Sequence, residues 1–568
     1  MALRLRRLVL SLRRWQPPVA LTGRIHRSHS KQRLAVSGYS LTRRLPPTSY
    51  RLPPMSESPS PLTAAPLTAM AEAYRPLLHF SAQRHWINDP NGLVWHDGEY
   101  HLFYQHNPEA MVWGHMSWGH AVSTDLLHWQ ELPLAIAEDA RHMIFSGSAV
   151  VDPANSSGFG QAGGPPPLVA VYTGHEPREG GHQSQCLAYS LDRGRTFTKY
   201  AGNPVLDIAE ANFRDPKVFW HAPTQRWIML VVLAHAHCAQ FYASEDLKFW
   251  QYLSDFQRHE LATGPSGIWE CPDLFELPLL AADGASTGQT AWVLKVDVFD
   301  GHLNGSSGGV YWVGHFDGQR FTADEANGPH PGWTDLGSDF YAAIAWNGMP
   351  PGDTRCVWIG WMNNHRYAQQ LPSAPFRGAM SLPRALSLAR RGGQWALRQW
   401  PLAELEAQRG TALAAAAALS AQALTPGVHA LHTHGQGPAW DIELNLLPQD
   451  ATECGLLLAL GEAQRTVVGW CARSQVVFID RSASGLAPEG ADFAARQCAP
   501  WPLEAGAALR LRVVIDACSV EVFAGDGELA ITAQIFPSAD SQGLALYALG
   551  GSAQVQRLAI WPLVSIRG

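Results

Sequence analysis

The chain is predicted to be all-β, a five-bladed β-propeller followed by a β-sandwich, and three observations carry that expectation. From Leu78 to about Trp400, short β-branched and aromatic runs recur between clusters of Gly, Pro, Asn and Asp, and helical periodicity is nearly absent. Within those runs five polar residues, Asp89, Ser146, Asp215, Glu270 and Tyr341, stand 57, 69, 55 and 71 positions apart. Such spacing suits modules of about sixty residues that each send one group towards a shared axis. After a change of texture near residue 402, alternating strands resume beyond Gly427.

Taken in order, residues 1–77 read as an Arg/Pro-rich leader, disordered or spurious, with Met55 and Met70 as alternative starts. Residues 1–55 hold twelve Lys or Arg, no Asp or Glu, repeated Pro-Pro pairs and no apolar face long enough for a domain. Residues 78–401 form the propeller, on runs such as 100–104, 168–172, 227–232, 291–296, 310–313 and 356–359. Short strands over so long a stretch exceed what one sandwich holds, which favours radial repetition of four-stranded sheets. Residues 402–426, with Glu404, Glu406 and the alanines from 412 to 418, are strongly helix-forming and read as a linker helix. Residues 427–568 alternate as a β-sandwich expects, in runs 441–446, 475–479, 509–515, 519–523 and 531–536. A stabilising partner for the propeller is a better reading of that sandwich than an independent sugar-binding module.

Composition narrows the function. Beyond residue 55 the chain carries 30 basic and 49 acidic residues, so no basic footprint for nucleic acid exists. No stretch approaches the roughly 18 to 20 apolar residues of a membrane span. Eight cysteines are scattered without a CxxC pair, which suits free thiols in a reducing compartment. The run from Leu8 to Leu12 is too short for a secretory core, so the cytoplasm is favoured and secretion stays open. His235 and His237 lack a third ligand at diagnostic spacing and read as two residues on one face of a strand; no metal is expected. Twenty-two Trp against ten Met is a high ratio, which serves β cores and also packing against the C–H faces of sugars.

Three segments concentrate the chemistry: residues 86–92 (WINDPNG), 213–216 (FRDP) and 269–273 (WECPD). Each presents a carboxylate beside aromatics and a proline. Glycosidic cleavage needs a carboxylate at the sugar cation and a carboxylic acid at the departing oxygen. Singly, NDPNG is turn chemistry and an Arg beside an Asp is a common surface pair. Glu270, set among Ile268 and Trp269, is expected to have its pKa raised by desolvation, as a general acid requires.

These residues resemble the glycoside hydrolases of family 32, the invertase, inulinase and levanase group. Residues 86–92 match its WxNDPNG block, 214–216 its RDP block and 270–272 its ECP block. Residues 102–105, 113–114, 118–125, 145–148, 339–341, 360–362, 380–384 and 519–523 also resemble family blocks, so the likeness runs from 78 to 565. It implies a five-bladed propeller plus β-sandwich and a retaining mechanism on a terminal β-fructofuranosyl unit. By that resemblance Asp89 is the nucleophile, Glu270 the acid and then base, and Asp215 the acceptor of fructose hydroxyl bonds. Arg214 would hold hydroxyls and keep Asp215 ionised, and Asn88, Gln105 and Ser146 would add polar contacts. Trp113, Phe145 and Trp361 would wall the pocket, while Tyr341 would tune Glu270. For Phe145 and Tyr341, packing between blades is an equally good reading.

The implied partners are sucrose and fructans, with no cofactor. The block 358–364 with Arg377 to Arg384 looks more like the levanase and exo-inulinase branch than plant invertases, which favours exo-release of fructose. A fructosyltransferase on the same scaffold would differ only in the acceptor. A non-catalytic fructan-binding protein fits poorly with three intact carboxylates, and an inverting arabinan or xylan hydrolase fits poorly with WxNDPNG.

Overall fold

A computed structural model describes residues 72–567 apart from 178–180, 258–266, 282, 306, 329, 433–436 and 489–492. The described strands between residues 85 and 401 make sheets of five, four, four and nine strands. The last joins two largely antiparallel groups through the parallel pairing of Leu279 and Leu280 with Leu388 and Ala389, so that five groups arise. Their first strands are His85–His96, Met143–Val151, Phe213–His221, Trp269–Leu280 and Tyr341–Ala345. Each first strand packs against the next, and the fifth packs back against the first. Burial follows that ring: Tyr341–Ala345 is buried throughout, whereas the last strand of the first group, Gln130–Ile136, is mostly open to solvent. Phe376–Arg377, from the far end of the propeller, pairs in parallel with His85 and Trp86 and ties the first group to the last. The first strands of the second, third and fifth groups end their sheets, and packing around the ring protects those short edges.

Two six-stranded sheets make the sandwich, one including Trp440–Leu447 and Leu529–Gln534, the other Glu453–Leu460 and Val476–Ala483. Alternation drives it: Trp440, Ile442, Leu444 and Leu446 enter the shared core with Leu456, Leu458, Val513 and Val522. The propeller meets it through buried charge as well as apolar packing. Arg384 reaches Glu521 and Asp335, the latter at 2.9 Å, and His79 lies between Asp516 (2.7 Å) and Glu521 (2.8 Å).

Two expectations change. The single helix over the linker is replaced by a 3-10 turn at Ala403–Gln408, a short helix at Ala414–Leu419 and the strand Ala423–Leu424. Backbone bonds to the last strand explain the break, since Gly410 N donates to Pro562 O, Leu413 N to Ile560 O and Val555 N to Gln422 O. Tertiary pairing has overridden alanine propensity. Most of the leader lies outside the described residues, but residues 72–77 belong to the fold. Tyr74 sits edge-on to Phe536, and Leu77 N donates to Asp516.

Candidate active site

All five axial residues sit where their strands slip register. Shifts fall between Ile87 and Pro90, Ile144 and Gly147, Glu270 and Asp273, and Tyr341 and Ile344, and opposite Asp215 between Leu230 and Val232. A bulge leaves a residue unpaired and re-aims its side chain, here towards the axis. Proline offers no N–H to a ladder, which is why Pro90, Pro216 and Pro272 follow so closely. The backbone is left-handed at Asp215 (φ 64°), Cys271 (φ 45°) and Ala342 (φ 54°), so three of the five strands hold a costly conformation beside the site.

The carboxylates converge. Asp89 accepts from Ser146 Oγ at 2.6 Å and from Asn88 Nδ2 at 3.0 Å, and Asn88 is itself fixed by Trp86 Nε1 at 2.7 Å. Glu270 accepts from Tyr341 OH at 2.6 Å and from Arg214 Nη2 at 3.0 Å. Asp215 Oδ2 accepts from Cys271 N at 2.9 Å, and Asp215 N donates to Thr173 Oγ1 at 2.9 Å. The Cys271 sulfur joins the group, 3.6 Å from Asp89 Oδ2 and 3.7 Å from Asp215 Oδ2. The three acids therefore form one cluster, bridged by Cys271 and Arg214.

The remaining expected residues divide. Trp113 is 45% exposed and meets half-buried Phe145 edge to face at 5.9 Å, so both border open space. Trp361 does not: it is fully buried behind the wall, between Trp86 at 5.8 Å and His365 at 5.1 Å. Gln105 uses its amide to hold Ile144 O at 3.0 Å, bracing the strand of Ser146. Arg214 points mainly at Glu270; its nearest approach to Asp215 is 3.9 Å. His235 and His237 lie on a 3-10 turn and its left-handed cap, not on a strand. Sequence reasoning missed Cys271, Thr173 and His365, whose half-buried ring stands 4.9 Å from Tyr341. His365 directly follows the 358–364 block, and that adjacency was the available signal.

Two family models cover the chain, the glycosyl hydrolases family 32 N-terminal domain over residues 79–401 and the family 32 C-terminal domain over 404–562. The chain belongs to glycosyl hydrolase family 32. It is 45% identical to a levanase of Bacillus subtilis over 502 residues, 88% of this chain and 71% of that protein. The exo-inulinase of Aspergillus awamori matches with a TM-score of 0.79 at 37% identity, over 87% of this chain and 99% of that one. A β-fructofuranosidase of Schwanniomyces occidentalis, complexed with fructosyl-erythritol, matches at 0.75 and 28% identity over 88% of this chain and 100% of that one. A propeller followed by a sandwich is the shared fold.

Electrostatics in this family 32 site run against one expectation. Burial raises the Glu270 carboxyl, but the Arg214 charge and the bonds from Tyr341 and Arg214 outweigh it and leave Glu270 below its usual value. Asp215 takes the raised pKa instead, pushed up to about 7 by burial and by Glu270 and Asp89, with Arg214 offsetting only part. The apolar neighbours of Glu270 were visible in the sequence; the guanidinium brought to it across the axis was not.

Proposed function

We propose that the chain is a retaining β-fructosidase that releases terminal fructose from β-fructans and sucrose through a covalent fructosyl-enzyme. Convergence of Asp89, Asp215 and Glu270 in one cluster carries this reading, and the family relatives support the substrate class. Asp89 Oδ attacks the anomeric carbon C2 while Glu270 gives its proton to the departing oxygen. Water then adds to C2 as Glu270 takes the proton back, and the bond to Asp89 breaks. The bonds from Ser146 and Asn88 hold the Asp89 carboxylate in one orientation before the sugar arrives.

Glu270 must be protonated when substrate is bound, and the cluster offers a route. Asp215 and Glu270 flank one guanidinium with Asp89 close by, so one proton is readily retained, and without substrate hydroxyls on Asp215 that acid holds it more strongly than Glu270. Fructose hydroxyls donating to Asp215 stabilise its ionised form. The proton is then left to Glu270, where the leaving group needs it. We read the five strand groups as five blades whose first strands deliver one axial residue each.

Free fructose measured over time from sucrose, raffinose, inulin and levan tests the assignment. Steady fructose release from inulin, levan or sucrose is expected. Oligofructans as the main product at high sucrose would replace hydrolysis with transfer, and an inverted first-formed anomer by NMR would remove the covalent intermediate.

A further inference from the structure

The loop that carries Tyr341 to the acid is seated on the sandwich from Asp335 to Asp339. Leu336 N donates to Ala530 O at 2.8 Å, Asp339 N to Thr532 O at 3.2 Å and Ser338 N to Gln497 Oε1 at 3.0 Å. Asp335 accepts from Thr532 N at 2.9 Å and from its hydroxyl at 2.6 Å. At Gly337 the approach is closest, since a Cβ there would stand 2.0 Å from Thr532 O. Tyr341 comes two residues after Asp339.

Arg481, a buried residue of the sandwich strand Val476–Ala483, locks this seat. Its Nη1 lies 2.6 Å from Asp339 Oδ2, its Nη2 2.9 Å from Tyr367 OH and its Nε 2.6 Å from Phe493 O. Gln534 N completes the Asp339 carboxylate at 2.8 Å, and Tyr367 OH donates to its other oxygen. One guanidinium thus grips both segments beside the acid: Asp339 leads to Tyr341, and Tyr367 closes the turn bearing His365. Arg481 touches no carboxylate of the pocket.

We propose that Arg481, acting through Asp339 and Tyr367, is a positioning residue for proton donation by Glu270, so that the sandwich completes the active site rather than merely stabilising it. The inference rests on the acid role read for Glu270. The chain of contacts is Arg481 to Asp339, two residues of backbone to Tyr341, and the 2.6 Å bond from Tyr341 to Glu270. A guanidinium is the group this seat needs, because its planar fork reaches four acceptors, Gln534 O among them, in fixed directions and an ammonium does not.

Leaving-group dependence gives the test. Sucrose expels an alkoxide that needs the proton, whereas p-nitrophenyl β-D-fructofuranoside expels a phenolate that needs little help. Arg481→Lys is expected to lower kcat/KM, which reports the step that expels the leaving group, by about 10-fold or more on sucrose and by less than about 2-fold on the aryl substrate, the later base step on water being common to both. Tyr367→Phe, which removes one hydroxyl, should show the same selectivity more weakly and keeps the test open if Arg481→Lys folds poorly. Tyr341→Phe should reproduce the selective loss, and adding Arg481→Lys to it should add none. Arg409→Lys, which disturbs a sandwich ion pair away from the loop, should affect both substrates alike. Equal losses on both substrates for Arg481→Lys and Tyr367→Phe, or no loss, would overturn the proposal. Failure of the unaltered enzyme to release fructose from either substrate would instead remove the functional reading beneath it.

Discussion

Glu270 and Asp89 sit one bond away from a hydroxyl each, Tyr341 and Ser146, and their substitution should expose the division of labour. Glu270→Gln cannot donate a proton and should lose about 10²- to 10⁴-fold in kcat/KM on sucrose, with less loss in kcat/KM on an aryl fructoside. Asp89→Asn should lose at least as much on both substrates, because no nucleophile remains. Steady-state kinetics on the two substrates checks the contrast. Cys271 behaves oppositely to what a cysteine at an active centre suggests. Burial, with Asp89, Asp215 and Asp297 nearby, pushes its thiol far above the ordinary range, and Lys295 offsets only part. The thiolate is the reactive form, so iodoacetamide should leave fructose release unchanged, as an activity assay after incubation would show. At this scale the sequence announced the three acids, because their aromatic and proline neighbours are local. It could not announce that Arg214 would serve Glu270 rather than its neighbour in the chain, since that partnership is made across the axis.

Elements explain why those local signals work. The proline of each acidic block marks a bulge, and the bulge turns the acid inwards, so the motif and the geometry are one feature. Spacing pointed to modules of about sixty residues in the sequence, although no two of them share a recognisable repeat. The linker was misread because alanine content speaks only of local preference, whereas the backbone of residues 410–422 is held by the edge of the sandwich. Gly147 offers an element-scale test. A Cβ there would stand 2.1 Å from Val171 O, inside the strand that presents Ser146 to Asp89. Gly147→Ala should lower stability by about 1–3 kcal/mol and reduce kcat through the displaced Ser146, as denaturant melts and fructose assays would register.

The whole molecule is stapled by ions at a buried seam, and this makes its stability depend on pH. Burial lowers the His79 imidazole, but the bonds and charges of Asp516 and Glu521 outweigh it and raise the group to about 9 from 6.5. Its contribution is complete below pH 6.5 and disappears as pH climbs through 9. Glu521 lies at about 2 against 4.5, so its contribution holds above pH 4.5 and fails as pH falls through 2. Thermal melts should therefore plateau between those limits and decline on both sides, and His79→Gln should flatten the alkaline decline. Arg384 and Glu521 lie in blocks that stood out in the sequence, but their pairing with one another and with His79 was not legible, because it exists only once two domains enclose them.

The Gly337 contact has a practical corollary for protein engineers. Family members look modular, and a crossover near residue 402 is the obvious place to shuffle halves between relatives. A hybrid joining this propeller to a foreign partner would fold around a mismatched socket unless the donor also supplied counterparts of Thr532 and Arg481. Such chimeras should emerge soluble yet sluggish, and transplanting those two side chains should restore their turnover.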